Sequence, residues 1–272
     1  MSMRVAAAVA LMLAVVLCGC SKVEQTNTSL TPVTPKNMPK AATNAAETAE
    51  APAGEAPKCQ GQTIGITLLT KTHNFYQDLE KSMQETADKL NLKLAIVSSE
   101  FKASDQDKQI DDFIVQKVAA MVVCPADSAS VGGAIKKANA AKIPVFTADI
   151  SADSGDVVCH IASDNKLGGK LAAERLAKEI GDKGEVLVID HPAVKSVQDR
   201  TAGFSEEMKK HPNIKVVEYA PAEGQRSKAH DVVVNKLISY PNLAGIFAIN
   251  DDSALGALAA CQAQTPREGR PQ

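Results

Sequence analysis

Acidic and amide side chains stand where short apolar, β-branched runs break off. Asp149 closes Ile143-Pro144-Val145-Phe146-Thr147-Ala148, Asp190 closes Val186-Leu187-Val188-Ile189, and Asn250, Asp251 and Asp252 follow Phe247-Ala248-Ile249. Such runs read as buried parallel strands, since β-branched and aromatic residues suit a pleated surface covered on both faces, and Pro144 lacks an N–H where a strand start needs none. In open α/β sheets ligands bind outside the carboxyl ends of the strands, where loops present polar groups that a strand interior cannot hold. Asp149 is therefore expected to contact a ligand. Its competing role is to open the loop Ile150-Ser151-Ala152-Asp153, as Asp often does.

Bond-making chemistry finds less support. His191, His211 and His230 have no adjacent nucleophile signature, no G-x-S-x-G elbow occurs, and no phosphate-cradling loop is present. Gly168-Gly169 at a helix start is a weak hint of an anion site only. Cys59, Cys124, Cys159 and Cys261 show no C-x-x-C spacing, so no metal and no cofactor is expected, and the chain is not expected to be an enzyme. Cys124 and Cys159 lie in apolar runs, where a thiol acts as a small buried hydrophobe.

The elements that must position these residues alternate along the chain. A strand at Thr63-Ile64-Gly65-Ile66 leads through Thr72-His73-Asn74 into a helix, for which Asn74 is the expected cap and Phe75, Leu79, Met83, Ala87 and Leu90 recur at helical spacing. Strands at Leu94-Ala95-Ile96-Val97 and Ala120-Met121-Val122-Val123, separated by a helix, precede a further helix over 128–141 and the Asp149 strand. The pattern then restarts with Val157-Val158-Cys159-His160-Ile161, a cap at Ser163-Asp164-Asn165, and another strand and helix series ending at Asn250. This cadence means βαβ units with right-handed crossovers. The expected fold class is α/β, two tandem doubly wound parallel-sheet lobes.

Composition agrees and narrows the partners. The 272 residues carry a net charge of -2 with no basic stripe, which argues against nucleic acid as a partner, and 44% hydrophobic content is ample for a core. Arg4 precedes an apolar run over 5–17 that is too short to span a membrane comfortably and reads as an export signal. It ends on Leu17-Cys18-Gly19-Cys20, which resembles a bacterial lipobox with Cys20 as the lipidated residue. Residues 1–20 are thus expected to be a lipoprotein signal peptide, and the Thr-, Pro-, Ala- and Glu-rich 21–60 a disordered tether. The protein is expected in the periplasm or cell envelope, held to the membrane by its lipid.

From Thr63 to Ala260 the residues resemble the periplasmic sugar-binding proteins of ABC importers. The motifs that carry this are Phe75-Tyr76 opening a helix, Pro125-Ala126-Asp127-Ser128, Ile143-Pro144-Val145 with Asp149, His160-Ile161-Ala162-Ser163-Asp164-Asn165 with Gly168-Gly169-Lys170, Arg200 with Gly203-Phe204, and Phe247-Ala248-Ile249-Asn250-Asp251. The resemblance implies a type I periplasmic-binding-protein fold that closes over a monosaccharide, ribose-like or related, by hinge bending. It implies a lobe over 61–160 and a second over 161–260, a membrane permease as partner, and a monomer. The alternative use of the same pocket is presentation of a bound sugar to a chemoreceptor or sensor kinase.

The positions to which the resemblance points also make chemical sense. Phe75 and Tyr76 can cover the apolar C–H face of a sugar ring. Asp149 and Asn250 can each engage two adjacent hydroxyls, with a helix cap as the alternative role of Asn250. His73, Cys124 and Gln198 occupy further contact positions, and Arg200 is read as a structural ion-pair partner. Ile150 stands where the ribose binder has an arginine, and Gly224 where an aromatic would stack, so the implied ligand is not necessarily ribose itself. The last residues, 261–272, with Pro266 and Pro271 about Arg267-Glu268-Gly269-Arg270, depart from the family pattern, and the second lobe is expected to be incomplete, as in a truncated or frame-shifted reading of a longer chain, with a non-functional fragment as an alternative to a working receptor.

Overall fold

The computed structural model describes residues 61–264. The expected signal peptide, with Cys20, the expected tether and the end of the tail lie outside the described residues. Eight strands and seven helices alternate: β1 (Thr63–Leu68), α1 (Asn74–Lys89), β2 (Lys93–Ser98), α2 (Ala103–Val115), β3 (Ala120–Val123), α3 (Gly132–Ala140), β4 (Val145–Ala148), β5 (Cys159–Ile161), α4 (Asn165–Glu179), β6 (Gly184–Asp190), α5 (Lys195–Met208), β7 (Ile214–Pro221), α6 (Arg226–Ser239), β8 (Leu243–Ala248) and α7 (Asp251–Gln264). They form a five-stranded sheet in the order β2-β1-β3-β4-β5 and a three-stranded sheet in the order β7-β6-β8. Every pairing is parallel.

The second sheet repeats the strand order of the first, with β7, β6 and β8 in the places of β2, β1 and β3. Among the described residues β8 is paired on one side only, by β6. The strand containing Cys159 does not open the second lobe. Cys159, His160 and Ile161 pair with Phe146, Thr147 and Ala148 and complete the first sheet. Helix α7 continues through Cys261 to Gln264, further than the composition of 261–272 leads one to expect.

Two helix starts differ from the sequence reading for local reasons. His73, extended and without a side-chain cap bond, precedes α1 in the place expected for Asn74. Helix α3 begins at Gly132 because the Asp127 carboxylate first accepts from the N–H groups of Ala129 and Ser130 and holds those residues in a turn.

The main core joins both lobes, running from Ile64, Ile66 and Leu68 of β1 through Phe146 of β4 to Val186 and Val188 of β6 and Phe204 of α5. Phe204 and Phe247 stack with ring centroids 4.1 Å apart. Helices α4 and α5 approach so closely that a Cβ at Gly169 would lie 1.8 Å from the Arg200 carbonyl oxygen, and one at Gly203 would lie 1.9 Å from that of Lys166. Only glycine fits either place. The close approach also sets the position of Arg200.

Candidate functional site

The carboxyl ends of the two sheets face each other. In each sheet the strand order reverses beside the central strand, between β1 and β3 and between β6 and β8, which is where an open parallel sheet leaves a crevice. The chain leaving β1 brings His73 and Tyr76, that leaving β3 brings Cys124, and that leaving β4 brings Asp149. From the second sheet β8 brings Asn250 and Asp252, and α5 brings Arg200. The lobes already touch here. Ser128 Oγ accepts from the Lys195 N–H at 2.9 Å, the Ser128 N–H donates to the Ala193 carbonyl at 3.0 Å, and His73 Nε2 lies 3.6 Å from Asp252 Oδ2.

At the centre the Tyr76 hydroxyl donates to Asp149 Oδ2 at 2.7 Å. Asp149 sits in the left-handed region with φ 65°, a conformation that Asp and Asn tolerate better than most residues and that turns the chain sharply out of β4. Burial pushes the Asp149 carboxyl up, against the pull of Tyr76, Arg200, His160 and His73 in the other direction. The Tyr76 phenol is pushed well up by burial and then by Asp149, and the Cys124 thiol likewise. Arg200 donates to Asn165 Oδ1 at 2.5 Å and to the Ile249 carbonyl, and its charge faces Asp149 and Asp251. A guanidinium has five N–H donors, and these bonds use two of them.

Clefts flank this centre. One of 870 Å³ is lined by Thr72, Phe101, Gln225, Arg226, His230 and Asp252, and one of 420 Å³ by Asp149, His160, Ser163, Asn165 and Ser196. On the wall of the smaller cleft, His160 bonds Thr147 Oγ1 through Nδ1 at 2.9 Å.

The expected contact residues separate into two groups. Tyr76, Asp149, His73 and Cys124 come together, but Tyr76 is 2% exposed and Cys124 not at all, so here the tyrosine offers a hydroxyl rather than a ring face and the thiol is core. Phe75 is half-buried and packs edge-on against Tyr76, centroids 5.2 Å apart. Asn250 serves as a cap: its Oδ1 accepts from the Ser253 N–H at 2.8 Å and its Nδ2 donates to the Gly224 carbonyl at 3.0 Å. Gln198 does not join the cluster. It is exposed and donates to the Pro192 carbonyl at 2.8 Å. Arg200, read as structural from the sequence, takes the inward place. Helical spacing carried that signal, since Arg200 shares its face with the packed Gly203 and Phe204, whereas a residue two positions earlier points away.

Residues 64–271 match the periplasmic binding protein domain. The chain belongs to the periplasmic binding protein family. The ribose import binding protein RbsB of Salmonella typhimurium is 36% identical over 227 residues, which cover 83% of this chain and 76% of that protein. Among solved structures, an ABC transporter solute-binding protein from Agrobacterium vitis bound with α-D-tagatopyranose is 31% identical with a TM-score of 0.70, covering 74% of this chain and 72% of that one. The Caulobacter myo-inositol binding protein is 26% identical with a TM-score of 0.71, covering 77% and 73%.

Two predictions concern the walls of this periplasmic binding protein's cleft. Asn250→Ala removes both the cap of α7 and the tie to Gly224. It is expected to cost about 1 kcal/mol, read as a lower urea midpoint. The second concerns pH. Burial lowers both His73 and His191; Asp252 and Glu100 oppose this at the first, Glu223 and Asp190 at the second, while Arg226 and Lys228 add to it. The folded chain therefore keeps both rings neutral below the ordinary value of 6.5, where the unfolded chain binds protons. Stability is expected to fall as pH drops from 6.5 through the folded values, by up to about 1.4 kcal/mol per pH unit for each ring. Thermal midpoints across this range test it, and His191→Gln should flatten the profile.

Proposed function

We propose that this periplasmic binding protein takes a monosaccharide or a related cyclic polyol between its lobes and delivers it to an ABC importer. The observation that carries the reading is the meeting of Asp149 and His73 from one lobe with Arg200 and Asp252 from the other, at the carboxyl ends of two parallel sheets. These groups are fixed donors and acceptors in a half-buried cleft, suited to holding hydroxyls. The three relatives support the class: ribose, tagatopyranose and myo-inositol are all small, hydroxyl-rimmed molecules.

A solute touching both lobes binds the closed form better than the open one, and that difference is what shifts the equilibrium between them. In this reading the first lobe runs from 61 through β5, the second begins after Ile161, one residue beyond the expected boundary, Cys20 carries the lipid, and 21–60 tethers the receptor near its permease as a monomer. Ile150, which is buried, and Gly224 stand in place of a charged donor and a stacking ring, so the preferred sugar is not necessarily ribose. A thermal-shift panel of pentoses, hexoses and inositols tests the reading. A true ligand at a hundred times its Kd should stabilise the protein by about 2.7 kcal/mol. No shift with any member of the panel would remove the sugar from the proposal.

A further inference from the structure

Among the described residues, eight that are not glycine have φ between 45° and 65°. Asn91, Lys117, Lys142 and Asp182 follow the ends of α1, α2, α3 and α4, where a left-handed residue ends a helix in the ordinary way. The other four have no helix to end. Glu100, Phe101 and Glu223 line the cleft of 870 Å³, and Asp149 lines that of 420 Å³. Left-handed backbone is least favourable for a bulky side chain, and Phe101 is the bulkiest of the four. Such strain persists where surrounding bonds over-determine it, and it gathers at ligand clamps.

Glu100 supplies those bonds. Its Oε1 accepts from the Ser98 hydroxyl at 2.5 Å and from the Lys71 N–H at 3.1 Å, and its Oε2 accepts from the Thr70 hydroxyl at 2.7 Å. The Phe101 N–H donates to the Leu69 carbonyl at 3.0 Å. The Phe101 ring, half-buried against the main core, meets His73 edge-on with centroids 5.3 Å apart and stands on the wall of the larger cleft. The second lobe lines the same cleft with Arg226 and Asp252, joined by a bond from Arg226 Nε to Asp252 Oδ1 at 3.1 Å. An apolar ring on one lobe and polar groups on the other suit the C–H face and hydroxyl rim of a sugar.

We infer that Phe101 is the ring platform of the solute cleft, covering the apolar C–H face of the sugar, and that Glu100 is the positioning residue that keeps it there. This inference rests on the proposed sugar binding and adds to it the surface that reads the sugar's ring face. The other candidates do not offer one. Tyr76 is 2% exposed, Phe75 lines neither cleft, and Gly224 has no side chain.

The test is calorimetric titration of the full chain with D-ribose, D-allose, D-tagatose and myo-inositol. Phe101→Leu keeps an apolar side chain and a Cβ, so the backbone strain stays and the ring is lost. It should bind whichever sugar wild type binds at least about threefold more weakly, while Phe101→Tyr, which keeps the ring, should bind within about twofold of wild type. Glu100→Gln should weaken binding in wild type and add no further loss to Phe101→Leu, because it acts through the ring. A loss below threefold in Phe101→Leu overturns the platform, as does a loss in Phe101→Tyr as large as in Phe101→Leu. Additive losses overturn the positioning role of Glu100. Should Phe101→Leu not fold, the absence of tryptophan from the chain provides a second measurement. Phe101→Trp puts a single indole on this wall, and its emission should shift on saturation with the same sugar; unchanged emission overturns the inference. If wild type binds none of the four sugars, the sugar reading itself fails, and the platform falls with it.

Discussion

Gly169→Ala is expected to destabilise the protein by about 3 kcal/mol or more, as overpacking against a rigid wall does. The added methyl would lie 1.8 Å from the Arg200 carbonyl oxygen and 2.9 Å from the Phe204 nitrogen, and neither backbone atom can yield without moving α5. The neighbouring residue supplies the control. Gly168 has nothing within 4 Å of a built Cβ, so Gly168→Ala should be neutral or stabilising by up to about 1 kcal/mol through helix propensity. Urea midpoints of the two variants should thus move in opposite directions. Equal shifts would mean that the helix contact is not made as described. The effect reaches the site, since an α5 displaced from α4 carries Arg200 away from Asn165 and Asp149.

Asp149→Asn is expected to weaken sugar binding by about 1.5–3 kcal/mol, the worth of a hydrogen bond to a charged group. That is roughly tenfold to a hundredfold in Kd. Asparagine is the informative substitution because it tolerates the φ of 65° at this position, where alanine would add backbone strain of its own. The amide oxygen can still accept from the Tyr76 hydroxyl. Since burial already raises the carboxyl, exchanging it for a neutral amide should leave the thermal midpoint unchanged or higher. Titration of the variant alongside a melting curve separates the two effects. Unchanged affinity would place the ligand elsewhere in the cleft.

Much of this arrangement is legible in local sequence, because strands and helices announce themselves within a short window. Runs such as Val186-Leu187-Val188-Ile189 are apolar enough for a doubly covered strand, and the carboxylates that follow them mark the carboxyl ends where a ligand belongs. Asn250 illustrates the limit. Its place before Ser253 announces a helix cap, and the cap is made, but the bond from Nδ2 to the Gly224 carbonyl joins residues 26 positions apart. No local pattern reports that contact.

The amino-acid order by itself determined the parallel α/β character, the repetition of a βαβ unit, and the identity of Asp149 as the polar end of a buried strand. Each follows from the alternation of apolar runs with helical periodicity and turn residues, an effect of backbone preference and burial over a few neighbours. Only the tertiary structure decided that Tyr76 bonds to Asp149 across 73 residues, that Arg200 rather than Gln198 turns inward with its charge toward Asp149, that Gly169 and not Gly168 is a contact, and that β5 completes the first sheet. These depend on sheet register and on how closely helices pack. Both are properties of surfaces brought together from distant parts of the chain, where small offsets change which atom meets which.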